Sequence, residues 1–333
     1  MYTELEPVTL RSGETVAAAI VTGPDAEWAS RLVSLLEHKG RLWNWQNASG
    51  LERNIGIDTN FYILHRDGQP FANILTATYK GVGLFGHVWT KPDDRQQGAS
   101  SALMARQMAH FAQMQGQALF LGTGWQSVAF RMYEKFGFRS IGGESGYMTY
   151  FADSAAKFEA AYFAPGPTET LPLNWRHWPA TQALFLGAYP TAVRAASMGI
   201  IGPGLTEGPL LPVLHDAERR VADGKPARAV VSQLTGSGAV VGLAMWDWHP
   251  IWPEVCLMDL YCHPDFWGEA SKLLESLALP EAAHYLAYAD ADSSAKIEAL
   301  QNIGFQPGAR LKERALATVA TDSRFADVLE FCK

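Results

Sequence analysis

The sequence predicts an α/β protein built as two domains in tandem, and three observations lead there. At 333 residues the chain exceeds the ~100–200 residues of a usual domain. Strand-like and helix-like hydrophobic periods alternate along it. The same order of signals also occurs twice. The pairs Pro92-Asp93 and Pro264-Asp265 lie 172 residues apart, and Gly137-Phe138 and Gly304-Phe305 lie 167 apart. Two collinear patterns with one small length difference indicate a repeated whole domain rather than a solenoid of short units.

In the first half, Thr15 to Thr22 reads as a strand. Pro24 and Asp25 then cap a helix whose Trp28, Leu32, Leu35 and Leu36 form a buried stripe. Phe61 to His65 and Phe71 to Tyr79 flank Asp67-Gly68, a turn dipeptide that readily supplies positive φ, and so read as a hairpin. Leu84 to Thr90 is a third strand. It runs through the loop Lys91 to Gly98 into a helix with Met104, Met108 and Phe111 on one face. A short strand, Ala118 to Leu121, precedes a helix stopped by Gly137.

The second half repeats the order. Ala229 to Leu234 and Ala239 to Met245 form a hairpin around Gly236-Ser237-Gly238. Met258 to Cys262 leads through His263-Pro264-Asp265 into a helix containing Leu273, Leu274 and Leu277, and a strand follows at Tyr285 to Ala289. The Ala164-Pro165-Gly166-Pro167-Thr168 segment breaks regular structure near the midpoint. The domains are therefore read as residues 1–163 and 169–333, with 164–168 as linker.

Hydrophobic residues make up 48% of the chain and charged residues 18%, a globular composition that excludes collagen-like, disordered and coiled-coil classes. With a net charge of −7 there is no basic footprint for nucleic acid or an anionic membrane. The acidic surplus lies almost wholly in the second half and favours a cationic small partner. Three cysteines, Cys256, Cys262 and Cys332, suit free thiols. Acidic residues at the start and the lack of a long apolar run point to a cytoplasmic protein. Cys262-His263 with Asp259 and Asp265 has no metal-ligand spacing, so no metal is implied. Trp43, Trp45, Trp175, Trp178, Trp246, Trp248 and Trp252 read as lying in loops or near strand ends, either lining a cleft or packing. The oligomeric state is left open.

Arg95-Gln96-Gln97-Gly98-Ala99-Ser100 lies between a strand end and a helix start. Backbone amides there, with the helix dipole, form an anion site suited to a pyrophosphate; the alternative is an ordinary loop with a solvated arginine. Thr90-x-Pro92-x-x-Arg95-x-x-Gly98-x-Ser100 resembles the R-x-x-G-x-G/A segment of the GNAT acyltransferase superfamily. Gln126-x-x-Ala129-x-x-x-Tyr133-Glu134-Lys135-x-Gly137-Phe138 resembles its N-x-x-A-x-x-x-Y-x-K-x-G-F segment. The match spans roughly Thr15 to Phe151 and departs from the family at Ser100 and Gln126.

The resemblance implies domains with a mixed, mainly antiparallel sheet flanked by helices, and transfer of an acyl group from acetyl-CoA to the amine of a small molecule or peptide. On that pattern the backbone at Val88 and Thr90 meets the pantetheine arm. Residues Arg95, Gln96, Gln97, Gly98, Ala99 and Ser100 hold the pyrophosphate, and Gln126 and Ala129 belong to the cofactor site. Tyr133 matches the acid that protonates the departing thiolate, its other reading being a tyrosine packed beside Phe138. The strand Leu84 to Thr90 carries no carboxylate. His87 is then the candidate base; alternatively it is structural and the amine arrives neutral or loses its proton to water. By the two offsets, Arg95, Gly98, Ser100, Ala129 and Tyr133 correspond to Trp267, Ala270, Lys272, Lys296 and Leu300. The second copy is thus expected to be degenerate, with one active site per chain. A different class of reading is a non-catalytic sensor or assembly module that binds acyl-CoA or an amine.

Overall fold

The computed structural model describes residues 1–142, 144–319 and 322–333, with side chains of 316–324 left aside. The chain is mixed α/β with two large mixed sheets and divides into two compact units. One comprises Met1–Ser140 and Gly146–Phe158, the other Ile141–Ser145 and Glu159–Lys333.

The first unit begins with β1 (Tyr2–Thr9), β2 (Thr15–Thr22), α1 (Ala26–Leu36) and α2 (Arg41–Glu52). It continues through β3 (Asp58–Arg66), β4 (Gln69–Tyr79), β5 (Val82–Thr90), α3 (Ala99–Gln113), β6 (Ala118–Gly122), α4 (Val128–Lys135), β7 (Arg139–Ser140) and β8 (Tyr147–Phe151). Strand order is β1-β2-β3-β4-β5-β6-β8-β7, antiparallel except for β5 with β6. Asp25 caps α1 as expected, its carboxylate accepting from Trp28 N at 3.1 Å. Asp67 and Gly68 both take positive φ in the β3–β4 turn.

Side-chain alternation along the strands splits the core into two layers. Ala19, Val21, Phe61, Ile63 and Leu75 pack against Trp28, Leu32 and Leu36 of α1. Ala18, Ile20, Tyr62, Ile74 and Phe85 pack against Leu103, Met104 and Phe111 of α3 and Phe130 of α4. Among the elements that escaped the sequence reading are β1 and α2. β1 is an edge strand whose ladder shifts register between Leu5 and Val8, around Pro7, and its side chains are mostly exposed. The helix α2 buries Gln46, Asn47 and Ser49, so no apolar stripe announces it. Trp43 and Trp45 therefore lie on a helix rather than in a loop.

From α5 (Ala155–Tyr162) the chain enters the second unit with β9 (Thr168–Pro172), α6 (His177–Leu186), β10 (Val193–Ala195), β11 (Ile200–Ile201), α7 (Leu210–Ala222) and β12 (Ala229–Leu234). Then follow β13 (Val240–Trp248), β14 (Val255–Cys262), α8 (Ala270–Ser276), β15 (His284–Asp290), α9 (Ser294–Asn302), β16 (Gln306–Val319) and β17 (Asp322–Cys332). The proline segment 164–167 leads into Thr168, which already pairs with Leu234; the division between units falls earlier, at Phe158 and Glu159. Trp178 lies within α6, and Trp246 and Trp248 lie on β13. The sheet order is β16-β17-β15-β14-β13-β12-β9, with β14 and β15 its parallel pair. Read from β9, neighbours and directions repeat those of the first sheet read from β2. No helix among the described residues is long and apolar enough to cross a membrane. All three cysteines are free.

Candidate functional site

In the first unit the two parallel strands part company. β5 and β6 pair over Val82↔Ala118, Gly83↔Leu119 and Leu84↔Phe120 and no further, although β5 runs on to Thr90 and β6 to Gly122. A bulge coincides with the separation. Across from β4, the register passes from Leu75↔Gly86 to Asn73↔Trp89, so His87 and Val88 oppose the single residue Ile74. His87 takes φ +51°, and Asn73 Nδ2 donates to its carbonyl at 3.0 Å. An extra residue bends its strand and raises local twist. Beyond Leu84 the β6-side edge of β5, including Val88 and Thr90, has no strand partner among the described residues.

The same strand ends in the turn that starts α3. Gln96 and Gly98 both take positive φ, at +63° and +85°, and Gly98 is the N-cap with no side-chain bond to the first helical amides. Those amides carry the positive end of the helix dipole. Arg11 fixes the turn from behind: its backbone N donates to the Gln97 carbonyl at 3.0 Å and its Nη1 to the Gln96 carbonyl at 3.3 Å. In a trans peptide the carbonyl and the next N–H point opposite ways, so the amides of Gln97 and Gly98 face away from Arg11. Arg95 stacks its guanidinium over Trp89 at 4.7 Å and donates from Nε to the Thr90 carbonyl at 3.2 Å. Thr90 and Ser100 join hydroxyls at 3.1 Å, which gives the hydroxyl at position 100 a structural use. Ala99 is buried, while Arg95 and Gln96 are exposed. Free amides, an uncapped helix start and an exposed guanidinium fit a diphosphate.

On the β6 side, Gln126 is exposed with φ +53°, one residue before Ser127, whose Oγ caps α4 by accepting from Phe130 N. Ala129 is half-buried against the core. Tyr133 is buried, its ring edge-on to Phe85 at 5.3 Å. Phe85 is the first β5 residue past the last pair with β6, so the Tyr133 ring packs on the residue at which pairing ends. Phe138 lies 6.1 Å from that ring. Gly137, φ +91°, ends the helix with Phe138 N donating to Tyr133 O.

His87 turns to the opposite face of the sheet from Val88, with Trp43 of α2 edge-on at 5.2 Å. It is buried, neither ring nitrogen has a partner, and desolvation pushes its pKa down to about 3. An imidazole that sheds its proton so readily is a poor acceptor of one from an amine. Buried and neutral, with Trp43 against its ring, His87 has the surroundings of the structural alternative. The sequence reading also missed Arg11, whose partners become visible only once β1 and β2 are known to be a hairpin.

The second unit differs at the corresponding place. β13 and β14 pair from Gly242↔Cys262 to Trp248↔Cys256 without a bulge. β14 and β15 pair as far as Met258↔Ala287, and residues 192–197 bind between the carboxylates that follow. Asp290 accepts from the amides of Ala192 and Val193, and Asp259 from those of Ala196 and Ser197 and from the Ser197 hydroxyl. Lys296, fully buried, donates to the Val193 carbonyl at 3.0 Å. Desolvation lowers the Lys296 pKa and raises that of Asp259. Trp267 is half-buried against the core, Leu300 fully buried, and Lys272 is drawn to Glu269. His263 pairs with Glu159 at 2.9 Å while Asp259 holds the 196–197 amides, so the two point to separate tasks.

No protein-family model and no curated protein matches this chain. Half of it is similar to several solved structures. One is YncA, a putative acetyltransferase from Salmonella typhimurium with its cofactor acetyl-CoA (19% identity, TM-score 0.34, 50% of this chain and 92% of that one). Another is a ribosomal-protein-alanine N-acetyltransferase from Brucella melitensis (19%, 0.35, 50% and 98%). A third is an N-acetyltransferase from Staphylococcus aureus Mu50 (16%, 0.37, 50% and 98%).

Proposed function

We propose that the first unit is an acetyl-CoA-dependent N-acetyltransferase of GNAT type. The observation that carries this reading is the parting of β5 and β6 at a bulge, on a strand that ends at the uncapped start of α3. A thioester needs a slot with strand amides beside it, and its diphosphate needs helix amides a strand's length away. Val88 and Thr90 would flank the pantetheine arm, Arg95 to Ser100 the diphosphate, and Gln126 and Ala129 the wall formed by α4.

In the reaction, the neutral amine forms the N–C bond as the C–S bond breaks. Tyr133 gives its phenolic proton to the departing sulfur, and the amine's surplus proton passes to water, from which Tyr133 is reprotonated. In this reading the two halves are copies of one domain, joined at the linker 164–168, and the second is degenerate. Its own residues 192–197 hold the place where β14 and β15 separate.

Calorimetric titration with acetyl-CoA, followed by thiol release with a panel of amines, tests the proposal. Binding with release, and release cut about a hundredfold in Tyr133→Phe at unchanged affinity, is the expected result. Absence of binding overturns it. Binding without release for any amine favours the sensor reading, which the missing carboxylate on β5 and the neutral His87 support.

A further inference from the structure

Four buried polar side chains on and beneath α2, Gln46, Asn47, Asn73 and His87, carry polar atoms with no hydrogen-bond partner among the described residues. On that helix Trp43, Gln46, Asn47 and Gly50 fall at i, i+3, i+4 and i+7, and so share one face. One end of the face rests on β5, where Trp43 meets His87. The other rests on β3, where Thr59 Oγ1 donates to the Gly50 carbonyl at 3.2 Å. β4 lies between β3 and β5, so Gln46 and Asn47 lie over β4. There Asn73, two residues before Leu75 of the α1-facing layer, is turned the same way. Gln46, Asn47 and Asn73 are each 0% exposed and His87 6%. Among the described residues both amide atoms of Gln46 and Asn47, Oδ1 of Asn73 and both ring nitrogens of His87 have no hydrogen-bond partner.

Buried polar atoms are nearly always paired, because leaving them unpaired forfeits the hydration they had in water. A purely structural helix face would place leucine or alanine here. Every group in the cluster is uncharged, and the amides offer donor and acceptor side by side, as does the group that complements them. A cleft of about 490 Å³ on this face is lined by Arg31, Glu37, His38, Gln69, Trp89 and Lys91 among others, and none of the four cluster side chains lines it; the His38 ring lies 3.8 Å from Trp89.

We propose that Gln46, Asn47, Asn73 and His87 form the acceptor's seat and bind an uncharged amide next to the reacting amine, as in an aminoacyl amide or the first peptide unit of a chain. This rests on the transferase reading, since it is the bulge at His87 that sets the seat beside the parted strands.

Saturation-transfer NMR on the full chain tests it with N-acetylglycinamide, set against anionic N-acetylglycine and cationic N-acetyl-1,4-diaminobutane. N-acetylglycinamide is expected to bind at least tenfold more tightly than either. Gln46→Leu and Asn47→Leu should lose that binding while their Tm stays level or rises, since each removes unpartnered polar atoms. No transfer from N-acetylglycinamide, equal binding of the charged probes, or variants that bind like wild type would overturn the proposal, as would a Tm that falls in both variants. Acetyl-CoA titration of the same samples separates the two claims: retained binding of acetyl-CoA with no amide binding removes the seat alone, and loss of acetyl-CoA binding in the wild type removes the transferase reading.

Discussion

At His87, burial beneath α2 keeps the imidazole neutral, and the sign of its effect on stability follows. Its folded pKa of about 3 lies below the unfolded 6.5, as does that of buried His177. The unfolded chain therefore binds more protons below the unfolded value, and stability is lost as pH falls from ~6.5 toward ~3. His87→Gln should thus show a smaller drop in Tm between about pH 7 and about pH 5 than the wild type, measured by thermal unfolding; an equal drop would contradict the assignment. Arg11 makes a gentler prediction. Only its Nη1 bond depends on the side chain, so Arg11→Ala should weaken acetyl-CoA about fivefold or less, the worth of one hydrogen bond, as read by calorimetry. Arg95→Ala, which removes a charge from the diphosphate turn, should weaken it more.

Individual elements were legible in the sequence wherever hydrophobic period or turn chemistry set them. Thr15–Thr22 and Ala229–Leu234 match their strands, and Asp25, Asp67-Gly68 and Gly137 act where local chemistry places them. α2 was not legible because it spends its inward face on amides, and β1 because an edge strand with a proline has no alternating pattern. The bulge at His87 is likewise silent, being set by register against β4 rather than by a residue type. Gly137 offers a test at this scale. Its φ is +91°, and a Cβ would stand 3.2 Å from the Tyr150 ring. Gly137→Ala should therefore cost about 1–2 kcal/mol of stability, seen as a lower denaturant midpoint.

Across the whole molecule, two sheets with one strand order carry different contents at the corresponding place. In the proposed reading Arg95, Gly98 and Tyr133 mark the first, and Trp267, Ala270 and Leu300 the loss of the pattern in the second. The segment 192–197 was hidden, since its partners Asp259, Asp290 and Lys296 lie some 60 to 100 residues further along the chain. Asp259→Asn should destabilise the second unit by about 3 kcal/mol, because it leaves Lys296 buried with less compensating charge, while acetyl-CoA affinity is unchanged. The most direct measurement is the calorimetric stoichiometry of acetyl-CoA on the full chain, with Arg95→Ala and Trp267→Ala in parallel. A single site per chain, weakened by the change at Arg95 and indifferent to the change at Trp267, is the predicted result; no site, two equivalent sites, or a site lost only with Trp267 would contradict it.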